Sequence, residues 1–280
     1  MFCLISFKDP CGEFLLKSIR TGEKTILYPR MVFPYNSLIK SLQTLLNRPG
    51  FWEKCQEWRH KSVPENMMAD VHHGKLWKEM AKDGFLSNLN GLALMLNVDW
   101  FKPYKHSPGS VGVIYMVVMN LPRAERYKIE NVIVVGILPG PGEPKLTANT
   151  FLKPLVEELQ SLWKSKERFA VSGNLFRKRI QAGLICVSCD IPAARKIGGF
   201  MGHMANQGCS KCRKEFFKQG RLDFSGFNRE CWPPRVSNDH KRDAKESLLE
   251  TTPTAQQNKC AGHGARYSVL HELEYFDCIR

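Results

Sequence analysis

An α/β fold built on one mixed sheet is what the sequence predicts, and three observations carry that expectation. Four short apolar runs, at 92–98, 111–118, 132–138 and 184–189, have the length of buried strands. The first three are joined by turn-type segments too short for a crossover helix, so they form an antiparallel meander. Between the third and fourth lies a helical pattern over 149–164, with Phe151, Leu152, Leu155, Leu159 and Leu162 on one face. A connection of that length lets the fourth strand lie parallel to the first by a right-handed crossover.

Taken in order, residues 1–64 read as a helical module. Asn36 or Ser37 caps a helix that carries Leu38, Ile39, Leu42, Leu45 and Leu46, and Asn47-Arg48-Pro49-Gly50 ends it. A second short helix holds Phe51, Trp52, Cys55 and Trp58, aromatics whose ordinary role is core packing. Cys3 and Cys11 lie in a loop-like stretch and read as unpaired thiols rather than as half of a metal site. A linker and helix follow over 65–90, with the helix near 67–80. Its adjacent His72 and His73 point about 100° apart, so neither is expected to chelate and both are taken as solvated. The core spans 91–200. Within it, the Gly- and Pro-rich stretch 138–145 fits no phosphate-binding loop, because its prolines remove the N–H groups such a loop needs. It reads as a rigid loop.

Asp99 and Asp190 each stand at the end of a buried-looking run. If the first and fourth strands are neighbours, the two carboxylates leave the same edge of the sheet. Acids held that close repel one another, and a hard divalent cation, Mg2+ or Mn2+, is the common resolution, which suggests phosphoryl transfer.

The 280-residue chain has a formal net charge of +14. Such a balance favours polyanions, with nucleic acid first among them, because each neutralised phosphate releases counterions. Lys164, Lys166, Arg168, Arg177, Lys178 and Arg179 gather just before the fourth strand, as a solvated surface or as a DNA-backbone contact beside the acidic edge. No apolar run is long enough to span a bilayer. The N-terminus has neither a basic region nor a small-residue cleavage site, so an intracellular protein is expected. The ten cysteines are spread over a chain too large to need disulfide staples.

Residues 201–250 read as a zinc-binding insertion. Cys209-Ser210-Lys211-Cys212 with His203 places two thiolates and an imidazole for tetrahedral Zn2+, with His240 as the fourth ligand and Cys231 in reserve. A lone Cys-x-x-Cys pair is also found as a redox motif, though in a different fold context. Cys186 and Cys189 share the spacing but lie on a strand, where residues three apart face opposite ways.

Several stretches then resemble one family in order. They are Asn97-Val98-Asp99-Trp100-Phe101-Lys102-Pro103-Tyr104, Asn120-Leu121-Pro122-Arg123, Gly136-Ile137-Leu138-Pro139-Gly140-Pro141-Gly142-Glu143-Pro144, Cys189-Asp190-Ile191-Pro192-Ala193-Ala194-Arg195-Lys196 and Gly202-His203 through Cys212. Phe224-Ser225-Gly226-Phe227, Trp232-Pro233-Pro234-Arg235 and Arg266-Tyr267-Ser268-Val269-Leu270 through Tyr275-Phe276-Asp277 continue the pattern. Together they resemble the transposases of CACTA-type (En/Spm, Tnp2-like) DNA transposons. The resemblance implies a ribonuclease-H-like core that cuts and joins DNA with an acidic triad and two Mg2+ ions. Asp99 and Asp190 match the first two acids, and Cys209, Cys212 and His240 match the Cys/His pattern. The resemblance further implies double-stranded DNA at transposon ends as the partner, a homo-oligomer, and a nuclear location. The family's third acid lies on a later helix, so residues 251–280 read as the start of a truncated part. An inactive relative is therefore expected, with a domesticated non-catalytic DNA- or chromatin-binding protein as the alternative.

Overall fold

The computed structural model describes residues 14, 16–61, 64, 67–105, 109–140, 142, 144, 148–202, 205–218, 221–222, 230 and 232–279. Cys3 and Cys11 lie outside them. Residues 16–29 depart from the helical expectation: β1 (Leu16–Thr21) and β2 (Lys24–Pro29) pair antiparallel as an exposed hairpin. Its turn is Gly22-Glu23, with Gly22 at φ 63°, the left-handed first position that a two-residue hairpin turn assigns to glycine. The two helices read from the sequence do form, as α1 (Leu38–Leu46) and α2 (Phe51–Gln56). Ser37 is the N-cap of α1, its hydroxyl accepting from the Lys40 amide.

The sheet comprises β3 (Gly91–Phe101), β4 (Val111–Val118), β5 (Val132–Leu138) and β8 (Gln181–Val187), in the order β5-β4-β3-β8. β3, β4 and β5 form the expected meander, and β8 lies parallel to β3. The crossover is α5 (Asn149–Trp163), preceded by the short α4 (Arg123–Arg126) and followed by a small hairpin of β6 (Arg168–Phe169) and β7 (Lys178–Arg179). Two expected boundaries move. β3 continues past Asp99 to Phe101, and β8 runs from Gln181 to Val187 rather than from 184 to 189.

Alternation along β3 sets the two faces. Leu92, Leu94, Leu96 and Val98 join Leu152, Leu155, Val156 and Leu159 of α5 in the main core, which also takes in Leu38 and Leu42 of α1. Glu158 of α5 fixes the entry of α1. Its carboxylate accepts from the Leu38 amide at 2.6 Å, the Ser37 hydroxyl at 2.5 Å and the Tyr35 phenol at 3.0 Å. An anion at a helix N-terminus meets unpaired N–H groups and the positive end of the dipole.

The opposite face carries Ala93, Met95 and Val117 against Trp77 of α3 (Lys75–Lys82). The single helix expected near 67–80 is broken at Gly74, which is extended, leaving a 3-10 turn at Val71–His73 ahead of α3. His72 is not solvated. Its ring lies 4.3 Å from that of Trp77, and its Nε2 is 2.8 Å from the Met119 carbonyl. Beside it Arg126, 2 % exposed, donates two bonds to the Asp70 carboxylate at 2.8 and 3.0 Å and a third to the Leu121 carbonyl. Burial works against the charged form of Asp70, but the guanidinium overrides it and holds the carboxyl below its usual range. The rest of the chain supplies α6 (Ile191–Gly198), a β9 (Phe217–Lys218) and β10 (Arg221–Leu222) hairpin, α7 (Ser237–Leu248), α8 (Pro253–His263) and a 3-10 turn at Val269–Glu272.

Two stability outcomes follow from the Asp70–Arg126–His72 cluster. Arg126→Met should cost about 3–5 kcal/mol in urea unfolding, the usual cost of stripping a buried charge of its partner. A loss below about 1 kcal/mol, the range of exposed pairs, would show that the pair does not hold this turn. Burial is the largest influence on His72 and keeps its pKa below the ordinary histidine value. The unfolded chain therefore binds the extra proton first as pH falls below about 6.5, so stability from this group is present above that pH and declines beneath it. His72→Gln should flatten the fall in the unfolding midpoint between pH 7 and pH 5.5.

Candidate functional site

The two acids that sequence singled out emerge at the same end of neighbouring parallel strands. The ladder runs Leu94 with Leu184, Met95 with Cys186 and Leu96 with Val187, so a bulge at Ile185 interrupts it. Pairing then extends beyond β8: the Ser188 amide donates to the Leu96 carbonyl at 2.8 Å, and the Asn97 side chain donates to the Ser188 carbonyl. The bulge also rephases the strand. Leu184 faces the main core, Ile185 and Cys186 both pack on the opposite face, and Val187 and Cys189 return to the main core. Asp190 comes three residues after β8, at the end of the sheet where Asp99 stands.

Asp190 is the N-cap of α6, its Oδ1 accepting from the Ala193 amide at 2.8 Å. Asp99 and Asp190 are both exposed. Between them, Cys189 Sγ accepts from the Val98 amide at 3.0 Å. Burial pushes this thiol up to about 11, and the Asp190 and Asp99 carboxylates both add to the rise, so the two negative charges converge on one sulfur. Trp100 crosses β4 at Gly112, where a Cβ would meet the indole Nε1 at 2.6 Å. The Lys196 ammonium stands 5.0 Å over the same ring. Among the described residues, no third Asp, Glu, His or Cys completes a chelating group with the two acids. Of the acids near the end of the chain, Glu272 is tied to Lys153 at 2.8 Å and to the Tyr267 hydroxyl at 2.5 Å.

Lys164 through Arg179 precede β8 and Asp190 follows it, so a seven-residue strand, roughly 23 Å at 3.3 Å per residue, separates them. Lys164, Lys166, Arg168, Arg177 and Arg179 are exposed, while Lys178 lies 5.2 Å over the Trp52 ring. Leu175 and Phe176, 97 % and 83 % exposed, occupy the tip of the β6–β7 hairpin among these cations.

Cys209 and Cys212 form a tight knuckle. The Lys211 amide donates to Cys209 Sγ at 3.3 Å, and Arg235, 4 % exposed, clamps the loop through the carbonyls of Cys209, Gln207 and His263. Burial pushes Cys209 up, but the Lys211 and Cys212 amides, the Cys212 thiol and the Arg235 charge prevail and hold it below the ordinary thiol range. Cys212 is raised, burial being the largest cause. His203 and Cys231 lie outside the described residues. His240 does not complete this set. Asp243, one turn along α7, meets the knuckle segment through Arg213 at 2.9 Å, whereas His240 stacks on Phe200 at 4.4 Å and groups with His271 and Cys278. Sequence gave no sign of that second cluster, since its members come from segments more than thirty residues apart in part.

Residues 65–227 match the model of the transposase family tnp2. No curated protein matches the chain. Among the described residues, no helix is long and apolar enough to cross a membrane. The matched stretch is more than half of the chain and takes in the four-stranded sheet, the α5 crossover and both acids, so this chain belongs to the tnp2 family of transposases.

Proposed function

We propose that Asp99 and Asp190 are two carboxylates of a divalent-metal site for phosphodiester chemistry on double-stranded DNA, carried on a ribonuclease-H-like core. The single observation behind this is the parallel β3–β8 pair, whose register runs toward both acids at one end of the sheet. Their hard oxygen donors suit Mg2+ or Mn2+. When bound, such ions activate a water or a 3′-hydroxyl and stabilise the leaving oxygen. The chain's own contribution is positional: Ala193 fixes one oxygen of Asp190, and the strand fixes the backbone of Asp99. Two acids anchor one ion better than two, so the described site is proposed to bind metal and DNA without cutting. Self-association and a nuclear location belong to the same reading.

A second reading, a domesticated DNA- or chromatin-binding protein, is favoured by the +14 net charge and by the β6–β7 hairpin with its exposed cations and apolar tip. Apolar side chains beside arginines can wedge between base steps. Cys209 and Cys212 are further proposed to hold structural zinc with His203 and a ligand from the segment containing Cys231.

Duplex binding measured by gel shift should weaken steeply with salt and depend little on sequence. Arg168→Glu with Arg179→Glu should lower affinity at least about tenfold by removing phosphate contacts; unchanged affinity would exclude the hairpin. Incubation of labelled linear and nicked duplexes with Mg2+ or Mn2+ should leave them intact. Cleavage that disappears in Asp99→Ala or Asp190→Ala would overturn the non-cutting assignment while supporting the acids. Failure of both single variants to weaken Mn2+ binding would remove the metal assignment itself. Cys209→Ser should reduce bound zinc and the melting temperature together, because structural zinc contributes folding free energy.

A further inference from the structure

We propose that His240, His271 and Cys278 form a transition-metal site for a zinc-class ion, separate from the Cys209–Cys212 knuckle. One ligand atom from each lies within 4.8 Å of the other two. Tetrahedral zinc, with bonds of about 2.0–2.3 Å, sets its ligand atoms about 3.3–3.8 Å apart, so a contraction of about 1 Å closes the site. The second, independent observation is His240 itself. It is fully buried, and neither ring nitrogen meets a partner in good hydrogen-bond geometry, although the Gly198 carbonyl lies close enough to act on the ring. A neutral imidazole has one N–H and one lone pair, and a metal ion takes up the lone pair that the protein leaves unmet.

His271 is fixed in place by contacts at both ring nitrogens. Its Nε2 is 3.1 Å from the Gly198 carbonyl, which as acceptor fixes the proton there and leaves the lone pair on Nδ1. That lone pair accepts from the Ser268 amide at 3.4 Å in the capping box of the 3-10 turn, so a metal ion would have to displace this bond. A carbonyl behind the distal nitrogen is the common outer shell of a metal-bound histidine. Cys278 has the Ser237 hydroxyl 3.6 Å from its sulfur; burial, the largest influence, raises its pKa, with that hydroxyl and the Lys241 charge working the other way. Lys241 in turn holds this segment by donating to the Leu273 and Phe276 carbonyls at 3.1 and 2.7 Å. Two imidazoles and a thiolate select zinc-class ions over magnesium, and the set leaves a fourth position for water. A bound ion would join α7, the 3-10 turn and the segment after it.

Co2+ serves as the probe in the full chain. In a Cys209→Ser/Cys212→Ser background, one Co2+ per chain should bind with the near-ultraviolet charge-transfer band of a single thiolate. Adding Cys278→Ser should abolish the band, and adding His271→Gln instead should weaken binding at least about tenfold. A band that survives Cys278→Ser overturns the site. In the otherwise native chain, Cys278→Ser should lose one bound zinc and lose part of the zinc-dependent rise in melting temperature, with the metal-free melting temperature unchanged. An unchanged zinc stoichiometry there overturns the proposal, whether or not the multiple variants fold.

Discussion

The parallel pairing of β3 with β8 is the constraint on which the other features depend. Parallel neighbours need a long connection, and α5 supplies it. Covering the sheet with that helix in turn demands the continuous Leu92, Leu94, Leu96 and Val98 face. β8 in particular depends on the parallel pairing, because β8 pairs with β3 and with no other strand of the sheet. The same pairing carries the ladder past the formal end of β8, through Ser188 and the Asn97 side chain, up to the acids. Register therefore does more than bury leucines. A one-residue slip would exchange the faces and separate the two carboxylates, so the hydrophobic pattern that selects the fold also protects the geometry of the candidate site.

Long-range polar contacts then fix what the apolar core leaves free. Hydrophobic burial does not dictate the direction in which a helix enters, whereas Glu158 does so for α1 by receiving its first amides. On the other face Asn120 plays a comparable part. Fully buried, it accepts from the Ala93 amide and donates to the Gly91 carbonyl, which satisfies β3 where its ladder with β4 has not yet begun. Each arrangement joins residues far apart in sequence, and each replaces water at groups that would otherwise be costly to bury.

Much of the architecture was legible in sequence because its signals are local. Apolar runs of strand length, a 3.6-residue period over α5 and the Ser37 cap are all read within a few residues of themselves. The order of the sheet followed from connection lengths. The first hairpin escaped because its faces are exposed throughout, so no hydrophobic alternation marks it; Gly22-Glu23 was the available signal. His72 escaped for a related reason. Whether a histidine near a helix end meets water or an aromatic wall depends on Trp77 and Arg126, whose approach is set by the tertiary fold. The bulge at Ile185 cannot be recognised in Leu184-Ile185-Cys186-Val187, since any apolar residue there would serve either face. Likewise, the position of the basic run relative to the acids depended on which end of β8 each occupies, a matter of strand direction rather than composition.

Buried polar groups in this protein divide into two kinds, and the division bears on what each is for. Arg235 meets three carbonyls around the knuckle through all three of its guanidinium nitrogens, so it is satisfied by the fold itself. Satisfied groups of this sort specify geometry and need no ligand. His240 is different. Its ring gains stacking on Phe200 and an edge contact with His271, but neither contact satisfies a nitrogen. A leucine or phenylalanine would fill comparable space without leaving a donor and an acceptor unpaired. The chain instead sets a second imidazole and a thiol around that unpaired ring, with a carbonyl behind one and a lysine beside the other. The Gly198 carbonyl and the Ser268 amide place His271, whereas His240 has no such pair of partners, and a shared electrophile would join it to the other two.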